Sequence, residues 1–379
     1  MMRRMHYAAL LALALLSAPA YGQAAPGRFT LKSAVLGEER ALLVRVPANY
    51  ERGSERYPVL YMTDGDAHMG HTSATVEFLA RNGRIPELIV VGITNTNRRR
   101  DLTPTGVEAF PGSGGADKFL KFIETELIPE VERRYRTQSY RIFAGHSLGG
   151  LNTLHAFFSR PELFNAYIAV SPTMTWDQGL PVKRAEEFFK ARKELDRTLF
   201  LAMADEGGEM LAGFNRLKEV IAKSPPRGLV WEAMLMEDED HGSVVLRSHY
   251  FGLRKAFDGW RVPPETAAGG LPAVEAHYQQ LSRRVGFPVL VPELLMNQIG
   301  YQLLGAGKTD EAIAAFKTNI ERYPKSANVY DSLAEGYEKS GRPELARPNY
   351  EKAYQLGREN NDPNVELYKA NLDRVAGKK

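Results

Sequence analysis

Six residues, Gly145-His146-Ser147-Leu148-Gly149-Gly150, constrain the fold of this chain more than any other stretch. They stand between an apolar run, Tyr140 to Ala144, and a helix-like stretch, Leu151 to Phe158. A G-x-S-x-G sequence at such a junction predicts a sharp turn from strand into helix with the serine at its apex. A turn that tight tolerates no bulky Cβ on its flanks, and Gly145 and Gly149 supply the clearance. The turn lifts the Ser147 hydroxyl above the sheet edge. It also aims the N-terminus of the next helix at any negative charge that develops there.

The surrounding pattern supplies the sheet. From Phe29 to roughly Trp260, short apolar runs alternate with amphipathic ones. Strands are expected at Ala41–Val46, Val59–Met62, Leu88–Ile93, Arg141–Ala144, Ala166–Val170, Leu199–Ala204 and Val230–Met236. The middle runs are almost wholly apolar, as suits parallel strands covered on both faces. Helices are expected between them at Ser73–Asn82, Asp117–Tyr135, Leu151–Ser159, Arg184–Glu194, Met210–Lys223 and Val244–Phe257. Alternating elements of this kind predict an α/β class, a doubly wound and mostly parallel sheet. The strand near Ala41–Val46 is expected at an antiparallel edge.

Before this region, Arg3 and Arg4 precede the apolar run Ala8 to Leu16, and Ala18, Ala20 and Gly22 follow. That is the pattern of a secretory signal peptide over residues 1–22, too short in its apolar part to be a permanent span. An exported chain, periplasmic or extracellular, is the expectation. No cysteine is present, so disulfides, a thiol nucleophile and Cys-based zinc sites are excluded. Charge is nearly balanced at 49 basic against 46 acidic residues, which argues against nucleic acid or a membrane surface as partner. No later segment reaches transmembrane length.

Residues 23–260 are followed by a linker and connecting helix over 261–290; Gly259-Trp260-Arg261-Val262-Pro263-Pro264, across that boundary, and Ala267-Ala268-Gly269-Gly270-Leu271-Pro272 are linker-like in composition. Residues 291–379 then repeat with a period of 34. Gly307, Ala312 and Phe316 recur as Gly341, Ala346 and Tyr350, and Met296, Ile299 and Gly300 recur as Tyr330, Leu333 and Ala334. Period and residue types fit the tetratricopeptide repeat, with Val365–Val375 as a capping helix. Two repeats are few, so the tail is expected to lean on the Ala273–Arg284 helix or on the larger domain. Truncation near Gly269 is expected to leave the chemistry of that domain intact. A protein partner is a further expectation for the tail.

A serine needs a base to take its proton, and the base needs an orienting acid. Following a G-x-S-x-G turn, the acid comes next along the chain and the histidine last. Of the four later histidines, His155 shares the helix of the turn, His249 lies mid-helix and His277 lies in the linker. His241 follows the strand Val230–Met236 in a loop with Gly242 beside it, which suits a general base. The acid should leave the end of Leu199–Ala204, where Asp205, Glu206 and Glu209 stand. Glu206 is the first choice; the other two stay open, and first-turn helix charges are an alternative reading of all three. Ser147 and His241 are expected to meet within hydrogen-bonding reach.

The oxyanion donors are expected to be the backbone amides of Leu148 and of Asp66, the latter in the loop Tyr61-Met62-Thr63-Asp64-Gly65-Asp66. Removal of one such donor typically costs on the order of 3 kcal/mol. Asp64 in this loop, and Arg98 in the cluster Asn95-Thr96-Asn97-Arg98-Arg99-Arg100-Asp101, are candidates to bind substrate. Arg98 reads equally as scaffold, whereas Arg100 and Asp101 read as a structural ion pair. Trp176, after Ser171-Pro172, is either an apolar wall of the pocket or a core tryptophan.

Taken together, Tyr57-Pro58-Val59-Leu60-Tyr61, Asp64-Gly65-Asp66, the Asn95–Asp101 cluster, Gly145–Gly150, Ser171-Pro172 and His241-Gly242-Ser243-Val244 resemble the Putative esterase family of α/β-hydrolases. That family includes enterochelin (siderophore trilactone) esterases, esterase D and some feruloyl esterases. The resemblance covers roughly residues 29 to 258 and implies a serine ester hydrolase with Ser147 as nucleophile and His241 as base. One departure is the crowded Asp205-Glu206 segment where members with a clear triad carry an Asp. Some siderophore esterases resemble Ser/His dyads, which would make the acid auxiliary. The expectation is therefore an exported serine esterase of small-molecule esters without cofactor or metal, with a siderophore-type lactone as the sharpest substrate. A feruloyl, carbohydrate or short-acyl esterase fits the same residues, and a non-catalytic adaptor acting through the repeats is the contrasting class.

Overall fold

The computed structural model describes residues 27–377; the expected leader, residues 1–22, lies outside them. Eight strands form one sheet: β1 (Gly27–Ser33), β2 (Glu38–Arg45), β3 (Tyr57–Met62), β4 (Ile89–Ile93), β5 (Thr137–His146), β6 (Ala166–Val170), β7 (Thr198–Ala204) and β8 (Val230–Met236). Their order is β1-β2-β4-β3-β5-β6-β7-β8. From β4 to β8 all pairings are parallel, whereas β2 runs antiparallel to both β1 and β4. The antiparallel direction expected near Ala41–Val46 is present. The edge position is not, because β1 occupies it. β1 is half-exposed and alternates apolar with polar residues from Phe29 to Lys32, so it carries no apolar run to announce it. Glu126 fastens its turn, accepting from Ser33 Oγ and from the amides of Ala34 and Val35.

Every residue of β3, β4, β6 and β7 is buried, as expected where helices cover both faces. Alternation divides the core. Val59 and Tyr61 join one apolar cluster with Phe119, Phe157 and Phe214. Leu60 and Met62 join the other with Leu79, Leu253 and Phe257. The first face is layered by α3 (Ala116–Phe122), α4 (Ile128–Arg134), α5 (Leu148–Ser159), α6 (Trp176–Ala191) and α7 (Gly208–Lys223). The second is layered by α1 (Gly65–Arg81) and α8 (Val244–Ala256). The short α2 (Arg98–Leu102) follows β4, in the Asn95–Asp101 cluster, where no helix is expected from the sequence. α6 begins eight residues earlier than expected, through a left-handed run at Asp177, Gln178 and Gly179.

Beyond α9 (Pro264–Ala268), the tail consists of α10 (Gly270–Val285), α11 (Glu293–Gly305), α12 (Thr309–Arg322), α13 (Ala327–Lys339), α14 (Pro343–Glu359) and α15 (Val365–Val375). The positions that recur every 34 residues carry its packing: Ala312, Phe316, Ala346 and Tyr350 are all fully buried. Gly300 and Gly336 face the Phe316 ring, where a Cβ on Gly300 would collide with it. The stretch 261–290 is no loose tether. Val274, Tyr278, Leu281 and Val285 of α10 are buried in the same cluster as Tyr140 and Phe257, and Met296 and Ile299 of α11 continue it. Polar contacts reinforce the join: His277 Nε2 and the Gly259 carbonyl oxygen lie 2.7 Å apart, and Arg284 donates to the Asp258 carbonyl.

Candidate active site

Parallel strands deliver the chemistry-bearing residues to one place, the carboxyl edge of the sheet, where open α/β folds bind ligands. Asp64 follows β3, Arg98 follows β4, Ser147 follows β5, Ser171 follows β6, Glu206 follows β7 and His241 follows β8.

Ser147 adopts φ 62° and ψ −117°, a conformation an L-residue holds only when its surroundings enforce it. Its amide donates to Val170 O at 3.0 Å, and its carbonyl accepts from Leu151 and Thr173. The flanking glycines are sterically required. A Cβ at Gly145 would strike the Gly149 carbonyl, one at Gly149 the Thr63 hydroxyl, and one at Gly150 the Val170 carbonyl oxygen at 2.7 Å.

His241 and Glu206 form the second half of the constellation. His241 Nδ1 lies 2.9 Å from Glu206 Oε2. Asp205 and Glu209, the alternative acids, are both exposed to solvent. The hydrogen bond to Glu206 raises the His241 pKa above its ordinary 6.5, against the opposing effect of burial. Burial works against ionisation of Glu206, but hydrogen bonds from His241 and Ser171 prevail and hold its carboxyl below 4.5. Asp240 shapes the loop. Its Oδ1 accepts from the amides of Gly242 and Ser243, both at 2.8 Å, an Asx-type turn that fixes the residue between.

The two halves touch through His146, whose ring centroid is 4.6 Å from that of His241. The Ser147 hydroxyl makes no hydrogen bond to any described residue, so in this structure it is not joined to the imidazole. Inward from His146 lies a group of imidazoles that sequence reading did not assemble. His68 is 5.6 Å from His146, His68 Nδ1 is 3.1 Å from His71 Nε2, and the His71 ring stacks on His249 at 5.8 Å. Thr72 Oγ1 meets His249 Nδ1 at 2.8 Å. Burial lowers the pKa of each of these four, that of His146 to about 4. Helical spacing of His68, His71 and Thr72 along α1 is visible in the sequence, but their meeting with β5 and α8 is a product of the fold.

The amides proposed as oxyanion donors begin two helices. In α1 the first main-chain bonds are from Ala67 and His68 to Asp64 O, and in α5 from Leu151 to Ser147 O. The amides of Asp66 and Leu148 precede these and have no intrahelical acceptor. Both helix N-termini lend positive potential to the space they face.

Asp64 and Arg98, expected against the substrate, are engaged with each other. Asp64 is 4% exposed and accepts from Arg98 Nε at 2.6 Å, Arg98 Nη2 at 3.1 Å and Asn95 Nδ2 at 2.7 Å. Its carboxylate is thereby withdrawn from a bound ligand. Burial opposes its ionisation, and the Arg98 hydrogen bond outweighs that and lowers its pKa. Trp176 is also buried, its Nε1 on Thr105 Oγ1 at 3.1 Å and its ring stacked on Phe110. It therefore braces the loop after α2, closer to the core reading than to a pocket wall. Arg100 and Asp101 are scaffold: Arg40, buried on β2, holds Asp101 at 2.5 Å, and Arg100 bridges Asp101 and Glu38 at 2.7 and 2.6 Å.

His155 is buried between Asp117 and Arg184. Among the described residues no cluster of three or more His, Asp or Glu is arranged to hold a metal ion, and no helix is long and apolar enough to cross a membrane.

Comparison with known proteins gives the arrangement its relatives. The profile of the family described as Putative esterase matches residues 33–205. The siderophore triacetylfusarinine C esterase of Aspergillus fumigatus is 36% identical over 264 residues, covering 59% of this chain and 90% of that protein. The ferri-bacillibactin esterase BesA of Bacillus subtilis is 34% identical over 218 residues, covering 50% of this chain and 75% of its own. In three dimensions, an IroE-like serine hydrolase from Shewanella oneidensis is similar with a TM-score of 0.64 and 28% identity, over 79% of this chain and 99% of that one. With relatives of this identity aligned along most of their lengths, the chain belongs to the Putative esterase family.

Proposed function

We propose that this protein is an exported serine esterase that cleaves carboxylic esters through an acyl-enzyme, with siderophore esters as its substrate class. The observation that carries the reading is the His241–Glu206 pair, 2.9 Å apart, beside a strained serine whose preceding residue touches the His241 ring. The Ser147–His241 hydrogen bond closes on substrate binding, since such bonds are often long or absent in unliganded enzymes. His241 Nε2 then takes the hydroxyl proton as Ser147 Oγ attacks the ester carbonyl carbon. The oxyanion is received by the amides of Leu148 and Asp66. The C–O bond to the alcohol breaks, and imidazolium His241 returns the proton to that oxygen. A water, deprotonated by His241 in turn, attacks the acyl carbon and releases the acid and free Ser147. Glu206 holds the His241 tautomer and stabilises the imidazolium.

Support for the substrate comes from the relatives named for siderophore ester hydrolysis, and support for export from the leader pattern of residues 1–22. The tail is read as two tetratricopeptide-type repeats with a cap, a surface on which a protein partner would dock. Fluorophosphonate labelling of the purified chain tests the catalytic reading. Labelling of wild type, lost in Ser147→Ala and His241→Ala, is expected; a wild type that fails to label at neutral pH would favour the adaptor. Side-by-side hydrolysis of triserine lactones, feruloyl esters and short acyl esters tests the substrate, with preference for the lactone expected.

A further inference from the structure

The Arg98 guanidinium spans two loops that come from different strands. Through Nε and Nη2 it grips the Asp64 carboxylate in a two-point pair, and the same Nη2 donates to the His146 carbonyl at 3.2 Å. Asp64 is the residue from which α1 starts, in a left-handed conformation at φ 54°. His146 is the residue from which the chain enters the serine turn. A two-point pair of this kind fixes direction as well as distance. Gly149 closes the third side, with its Cα so near Thr63 and Asp64 that no side chain fits between. One cation therefore sets how the start of α1 stands relative to the start of α5.

We infer that Arg98 is a positioning residue, clamping the loop that carries the Asp66 amide to the turn that carries Ser147 and the Leu148 amide. The inference rests on the serine-esterase reading above. Two donors converge on one oxyanion only if the loops bearing them keep a fixed separation, and misplacement by about 1 Å costs on the order of a hundredfold in rate. Since the donors act on charge that develops in the transition state, loosening them lowers kcat and leaves ground-state binding unchanged. Arg98 also stands near enough to His241 to oppose its protonation, which gives a second, independent readout.

The test uses full-length wild type, Arg98→Lys, Arg98→Ala and Asp64→Asn on a neutral ester such as p-nitrophenyl acetate. Arg98→Ala and Asp64→Asn are expected to lower kcat by about ten- to a hundredfold with KM held within about twofold, and Arg98→Lys to fall between. In Arg98→Ala the acidic limb of kcat/KM should move to higher pH as the opposing cation disappears. A raised KM at unchanged kcat would overturn the inference and assign Arg98 to substrate binding. Wild-type kcat in all three variants would overturn it as well. If Arg98→Ala does not fold, the near-isosteric Asp64→Asn and the charge-retaining Arg98→Lys decide the question. Wild type that neither labels with fluorophosphonate nor hydrolyses ester fails the underlying reading instead, so the two failures are told apart.

Discussion

His241 and Glu206 stand 2.9 Å apart at the ends of two neighbouring parallel strands, a spacing that sheet geometry brings within reach of two short loops. The consequence is a pH dependence of defined sign. A base works only when neutral, and Glu206 holds the His241 pKa above 6.5. The acidic limb of kcat/KM is therefore expected to have its inflection above 6.5. Glu206→Gln should lower that inflection and cut kcat by about 10²–10⁴-fold. An unmoved limb in the variant would release Glu206 from its role.

A methyl group at Gly149 has nowhere to go, since the Thr63 hydroxyl already fills the space. Gly149→Ala is expected to reduce turnover sharply and to destabilise the fold by about 1–3 kcal/mol through overpacking. The double variant with Thr63→Ala should recover part of the loss, because it removes the colliding group. Urea melts and initial rates measured together check both, and failure of the second substitution to help would point to a clash elsewhere.

The imidazoles behind the site make folding stability sensitive to acid. Burial holds the His146 pKa at about 4, below its ordinary 6.5, with His68, His241 and Asp64 as its charged or titratable neighbours. Between those two pH values the unfolded chain binds the proton and the folded chain does not. The contribution of His146 to stability is thus full above pH 6.5 and is lost as pH falls towards 4. The contribution of His146 alone is on the order of 3 kcal/mol across that window. His146→Asn should flatten the decline of the melting temperature there; a parallel decline would take His146 out of the account.

Cutting the chain after Gly269 removes four buried side chains of α10, Val274, Tyr278, Leu281 and Val285, from a cluster they share with Tyr140 and Phe257. Each such burial is worth about 1.5–3 kcal/mol, which together rivals the whole stability of an ordinary domain. Contrary to the expectation from composition, the shortened chain should lose both fold and turnover. A chain ending after Lys325, with α10, α11 and α12 retained, should keep them. Circular dichroism and short-ester assays distinguish the two.

What could be read in advance follows from the range of the forces involved. The strands β3, β4, β6 and β7 declared themselves because both faces are buried, and the serine turn because its glycines answer a local clash. β1 and α2 did not, since the alternation of β1 rests on only two apolar residues, Phe29 and Leu31, and a single helical turn leaves no periodic signal. Glu206 was legible as the carboxylate just past the end of β7. Arg98 showed both of its alternatives equally, because the sequence does not reveal that Asp64 lies against it. The same blindness applies to His68, His71 and His249, which meet only across packed helices; α10 was legible as a helix at Ala273–Arg284, but not its burial beside Tyr140 and Phe257.

The antiparallel strands at the start of the sheet look like an accessory to the parallel core. Yet Arg40 of β2, 1% exposed, reaches both Asp101 and the Thr94 carbonyl, and so props from below the short helix on which Arg98 is mounted. The antiparallel end of the sheet thereby serves as pedestal for the loop that follows β4. Any minimal catalyst carved from this protein has to retain that footing.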